Sequence, residues 1–168
     1  NKRVKLLKGL TVQQLEDCYN QKVQINDGAR TLVKTMGYLG SKSVIVSGGF
    51  SFFADKVAKE TGFNQVYANE LLFDGHILSG TVEEPIISGA EKLKILRKLC
   101  SIENLTLNDV IAVGDGANDI GMVREAGIGV SYFGKSKLTA VADFKIYYSD
   151  LRALLYFQGI KEIDFFTG

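Results

Sequence analysis

Hydrophobic positions along the chain follow two periods, and the switches between them outline the fold. The runs "SVIV" (43–46) and "DVIAV" (109–113) end in consecutive apolar residues, the pattern of strands buried on both faces. "QVYAN" (65–69), "IGVSY" (128–132) and "FKIYY" (144–148) read as further strands. Helical spacing governs the segments between. "TVQQLEDCYNQ" (11–21) opens with Thr11 and Gln14 at the spacing of a capping box. "DGARTLVKTMGYLG" (27–40) carries Leu32, Val33, Met36 and Leu39 on one face and ends in Gly40. "FSFFADKVAKETG" (50–62), "GAEKLKILRKLC" (89–100), "DIGMVREAG" (119–127), "SKLTAVA" (136–142) and "DLRALLYFQG" (150–159) continue the helical series. "NELLFDGHILSGTV" (69–82) differs: Asp74-Gly75 between two apolar runs signals a hairpin. From residue 28 onward strands and helices alternate, which predicts an α/β fold with a parallel sheet covered on both faces. In such sheets ligands bind at the carboxyl ends of the strands.

Composition narrows the classes of function. The 168 residues hold 20 Lys and Arg against 19 Asp and Glu, a net charge of +1, so no bulk attraction to nucleic acid or an anionic membrane is expected. No apolar run approaches the roughly 20 residues of a membrane span. Cys18 and Cys100 lie far apart in helical segments, which fits reduced thiols and a cytoplasmic setting better than a disulfide framework. His76 is the only histidine, following the hairpin turn. Histidine metal clusters and Ser-His-Asp chemistry are thereby excluded within these residues, and acid–base work falls to carboxylates or lysines.

Two strand ends carry candidate chemistry. After "VIV" come Ser47, Gly48 and Gly49, then a helix. A hydroxyl and free backbone N–H groups there form either an anion cradle or a tight turn with Ser47 as a cap. By residue type alone the turn is the commoner case. After "VIAV" comes Gly114-Asp115-Gly116-Ala117-Asn118-Asp119. Asp115 falls at the strand's end and Asp119 four residues later. A turn with Asn118 as a cap would need one polar residue, whereas two crowded acids call for a cation or a proton. Mg²⁺, which takes oxygen ligands and keeps several waters, suits them. Lys92 is the candidate positive group for a phosphate, although lysine by itself is more often a solvated helix residue.

These residues carry a resemblance. "KRVKLLKGL" (2–10), "VIVSGGFSFFADKVA" (44–58), "YANELLFDGHILSGTV" (67–82), the lysine in "SGAEKLKIL" (88–96), "VGDGANDIGMVREAGIGV" (113–130) and "ADFKIYYSDLRALLYFQG" (142–159) resemble, in order and over nearly the whole chain, the phosphoserine-phosphatase branch of the haloacid dehalogenase (HAD) superfamily. The resemblance implies a Rossmann-like core over residues 25–168 and, over residues 1–24, the C-terminal part of a helical cap. It also implies a Mg²⁺-dependent phosphoric monoester hydrolase that turns O-phospho-L-serine into serine and phosphate in serine biosynthesis. The implied roles are Ser47 and the Gly48 N–H on phosphate oxygens, Lys92 against the phosphate and nucleophile charge, and Asn118 near the phosphate. Asp115 would ligate Mg²⁺, with Asp119 in support, and Arg3 would hold the substrate carboxylate. Ser88 stands where the family usually has an acid.

The family's DxDxT motif, at the end of its central first strand, supplies the nucleophilic aspartate and the general acid. No Asp-x-Asp occurs in these 168 residues. The expectation is therefore that the first strand and both aspartates lie upstream in a longer protein, and that this chain alone is inactive. A strand supplied by a complementing N-terminal segment, and a non-catalytic phosphate-binding remnant, are the alternatives. A HAD phosphatase for another small phosphomonoester also stays open, as does a homodimer. The expected partner is a small phosphomonoester, with no nucleic acid and no membrane.

Overall fold

Thr11 begins the first helix as its sequence demands. In a computed structural model, which describes residues 3–166, the Thr11 hydroxyl accepts the Gln14 N–H at 3.3 Å, and Gln14 Oε1 accepts the Thr11 N–H at 2.9 Å. This closes helix α1, Val12–Lys22. Just before it, residues 9 and 10 exchange hydrogen bonds with the hairpin: Gly9 N–H donates to the Leu78 carbonyl and Leu78 N–H to the Leu10 carbonyl. The hairpin itself is β3 (Leu71–Asp74) and β4 (Ile77–Val82), antiparallel, turning at Asp74-Gly75. Gly80 in β4 has φ +83°, and an added Cβ there would lie 3.0 Å from Lys8 Cβ. Glycine at this position lets the 3₁₀ turn Val4–Leu7, headed by Arg3, rest on the strand. Leu15, Leu71 and Leu78 form the buried centre of this region, with Leu7, Leu10, Phe50 and Phe53 packed on it.

Helix α2 (Ala29–Tyr38) leads into β1 (Val44–Phe50), α3 (Ser51–Thr61) and β2 (Gln65–Asn69). β2 lies parallel to β1. β1 runs further than its apolar run predicts, through Ser47, Gly48 and Gly49 to Phe50, and its register with β2 shifts between Val46 and Phe50. Three helices are tied together by side chains. Tyr19 of α1 donates its hydroxyl to Glu60 of α3 at 2.5 Å, Arg30 of α2 donates to the same carboxylate at 3.1 Å, and Lys56 of α3 reaches Glu16 of α1 at 2.8 Å. Burial, reinforced by the neighbouring Glu60 carboxylate, pushes the Tyr19 phenol up to about 12. These elements, with α7 (Ala153–Tyr156) and the residues around it, make one compact unit: the chain up to Ile86 together with the chain from Asp150 onward.

The other unit is Ile87–Ser149. Helix α4 (Gly89–Glu103) ends on Asn104, whose φ of 55° supplies the left-handed turn. A three-stranded parallel sheet follows, in the order β5 (Ile111–Gly114), β6 (Ile128–Tyr132), β7 (Phe144–Ile146). β6 is central in this sheet and contains Val130, fully buried. Helix α5 (Ile120–Glu125) places Val123 on β6, and α6 (Ser136–Thr139) adds Leu138 to the core. Arg97 of α4 grips the Glu125 carboxylate at 2.7–3.0 Å, an exposed clasp of modest energy.

The alternation of strands and helices is as read. Three elements are shorter than their patterns suggest. α6 stops at Thr139 instead of residue 142, and β7 stops at Ile146, leaving Tyr147 and Tyr148 outside the ladder. α7 occupies only Ala153–Tyr156 of the 150–159 pattern, with turns on both sides. No helix among the described residues is long and apolar enough to cross a membrane.

Candidate active-site elements

In the first unit, the end of β1 opens onto a cavity of about 490 Å³. Arg3, Gly48, Gly49 and Asn69 supply its polar wall, while Val4, Leu7, Phe50, Val82 and Ile86 supply the apolar one. Arg3 is the charged side chain among these lining residues, so the cavity favours an anion. Ser47 is half-buried beside it, and its Oγ accepts the Gly49 N–H at 2.9 Å. Helix α3 starts immediately after this loop and aims its N-terminal amides back toward it. Of the residues singled out in the sequence, Arg3 and Gly48 thus share one cavity with Ser47 at its edge. Asn69, read only as the last residue of a strand, belongs to the same wall. Its signal in the sequence was slight: a polar residue at the carboxyl end of a parallel strand.

In the second unit, the end of β5 carries the loop Gly114–Asp119. Asp119 is 5% exposed and Lys92 of α4 is 8% exposed. Lys92 Nζ donates to Asp119 Oδ1 at 2.7 Å. The other carboxylate oxygen, Oδ2, accepts the backbone N–H groups of Asp115 and Gly116 at 3.2 and 3.1 Å. Both oxygens of Asp119 are therefore engaged, and its carboxylate braces the loop from within. The solvated-lysine alternative for Lys92 does not describe this geometry. Asp115 and Asn118 are exposed on the same loop. Gly89, at the start of α4, packs against the backbone of Asn118: an added Cβ would lie 3.1 Å from the Asn118 carbonyl oxygen. The two acids that looked like an unbalanced pair are thus unlike. One is neutralised by an ammonium inside the fold, and the other is open to solvent.

A family model described as haloacid dehalogenase-like hydrolase matches residues 2–124. The chain belongs to this HAD family. Among its relatives is a phosphoserine phosphatase from Archaeoglobus fulgidus, 40% identical over 144 residues, which cover 86% of this chain and 42% of that protein. Another, from Albidiferax ferrireducens, is 40% identical over 157 residues, 91% of this chain and 66% of the relative. This HAD chain therefore spans less than two thirds of the length of either. In three dimensions it resembles the solved structure of a phospho-aspartyl intermediate analogue of phosphoserine phosphatase. The TM-score is 0.87 at 36% identity, with 95% of this chain and 75% of that one covered.

Proposed function

We propose that the chain is part of a Mg²⁺-dependent phosphoserine phosphatase acting in serine biosynthesis in the cytoplasm. The reading is supported most by the cavity at the end of β1, where Arg3 and Gly48 line one space. A phosphomonoester that also bears a carboxylate needs two separate anion partners, and this wall offers both. Ser47 and the Gly48 N–H take phosphate oxygens, as a hydroxyl and a peptide dipole at a helix start do for oxyanions. Arg3 takes the carboxylate with its planar fork. Residues 1–24 are assigned to the C-terminal part of the helical cap.

Within the second unit, Lys92 has three donors, of which Asp119 takes one, so the ammonium has two left for an anion. Asn118 offers its amide from the same loop. The exposed Asp115 carboxylate is a hard oxygen donor of the kind Mg²⁺ takes beside its waters, and Asp119, both of whose oxygens are engaged, supports it by bracing the loop. When bound, the ion would withdraw charge from the phosphate oxygens. The nucleophilic aspartate, which would carry the phosphoryl group as an aspartyl-phosphate, and the general acid for the leaving serine oxygen are not among these residues. Turnover by this chain alone is accordingly expected to be nil.

Ligand binding tests the reading without requiring turnover. Titration calorimetry of the chain with O-phospho-L-serine and with phosphoethanolamine, which lacks the carboxylate, should favour the former. Arg3→Ala should weaken O-phospho-L-serine about tenfold or more, the worth of a charge-assisted hydrogen-bond pair, and leave phosphoethanolamine unchanged. Equal loss for both ligands would contradict the assignment of Arg3, and no binding of either would contradict the site.

A further inference from the structure

The irregular last residues of β1 include two consecutive glycines, Gly48 and Gly49, which have no side chains of their own to fix their peptide planes. The ladder does not fix them either. Val46 pairs with Tyr67 and Phe50 with Asn69, so four steps along β1 oppose two along β2. A side chain from the neighbouring strand holds both glycine carbonyls. The Asn69 amide Nδ2 donates to the Gly48 carbonyl at 2.9 Å and to the Gly49 carbonyl at 3.2 Å. Asn69 itself is 5% exposed, whereas Gly48 and Gly49 are exposed, so a buried amide anchors an exposed stretch of backbone.

A peptide unit is planar, with its C=O and N–H pointing opposite ways. Drawing the Gly48 carbonyl toward Asn69 therefore turns the N–H of the same peptide, that of Gly49, away from it. This N–H meets Ser47 Oγ at 2.9 Å. Because Oγ accepts there, the hydroxyl proton of Ser47 remains available to donate in another direction. We infer that Asn69 is a positioning residue: its amide sets the Gly48–Gly49 peptide, which orients the Ser47 hydroxyl as a donor to a bound phosphate oxygen. The inference rests on the reading of this loop as the phosphate cradle.

Two variants separate the role from mere packing. Asn69→Ala removes the donor without adding charge. Asn69→Asp keeps the shape and sets a carboxylate against two carbonyl oxygens. ¹⁵N–¹H spectra of the chain, titrated with inorganic phosphate well below its unfolding temperature, report the loop directly. The expected result is a displaced, faster-exchanging Gly49 amide in both variants and phosphate affinity at least tenfold weaker. An unchanged Gly49 signal with affinity within twofold would overturn the role. So would a lowered unfolding midpoint with unchanged affinity, since packing alone would give that. If the unsubstituted chain shows no phosphate-dependent shift at Ser47–Gly49, the cradle reading itself fails, and this role with it.

Discussion

Replacing Lys92 by methionine is expected to destabilise the chain by about 3–5 kcal/mol, the usual cost of leaving one member of a buried ion pair without its partner. The side chains of Lys92 and Asp119 are only 10% and 8% exposed. Methionine keeps an unbranched apolar stem of nearly the same length as lysine's and lacks the ammonium. Asp119 would then retain two backbone N–H donors on one oxygen and lose the partner of the other. Urea unfolding followed by circular dichroism measures the effect. Lys94, on the same helix, is the internal control. Its 3.1 Å contact with Glu91 lies at the surface, with the lysine side chain 71% exposed, so Lys94→Met should hardly move the midpoint. Similar midpoints for the two variants would show that Lys92 is not held as described.

The second large effect belongs to a glycine. Gly114 closes β5, and a Cβ added there would fall on the Cβ of Asp119 and 2.6 Å from its Cγ. These atoms are near the backbone and held from both sides, so they cannot swing away as the tip of a long side chain would. Gly114→Ala is expected to cost about 3 kcal/mol through overpacking and displacement of the carboxylate. Gly116, two residues on, has no atom within 4 Å of its would-be Cβ and a φ of −138° that any residue adopts. Gly116→Ala should therefore be nearly neutral. Because Gly114→Ala and Lys92→Met both act through Asp119, their combination should cost less than the sum of the two. Strict additivity would mean that the two positions do not share that carboxylate.

Much of the fold was legible because burial leaves a periodic trace. The apolar ends of "SVIV" and "DVIAV", the Thr11–Gln14 pair and the Asp74-Gly75 turn each act over a few residues. The structure forms them where the pattern puts them. α6 and β7 are shorter than their patterns suggest, because an apolar stretch such as "TAVA" signals burial without specifying a helix. Ser47 and Gly48 lie within β1, which continues to Phe50, whereas the position of Asp115 just past a strand end could be read locally. The partner of Lys92 could not. The ion pair joins residues 27 apart in sequence, and nothing in "GAEKLKIL" marks which of its lysines turns inward. Asn69 escaped notice for a related reason. Its importance lies in the two carbonyls it faces across the strand pair, and carbonyls are the same in every sequence.

The proposed function requires that these residues bind a phosphomonoester and do not hydrolyse it by themselves. Its most direct test is release of phosphate from O-phospho-L-serine in the presence of Mg²⁺, on material whose intact mass confirms the 168 residues. The expected result is no release, together with measurable binding of O-phospho-L-serine by the same sample. Release that disappears on Asp115→Asn would contradict it, for a nucleophile would then be at work within this chain.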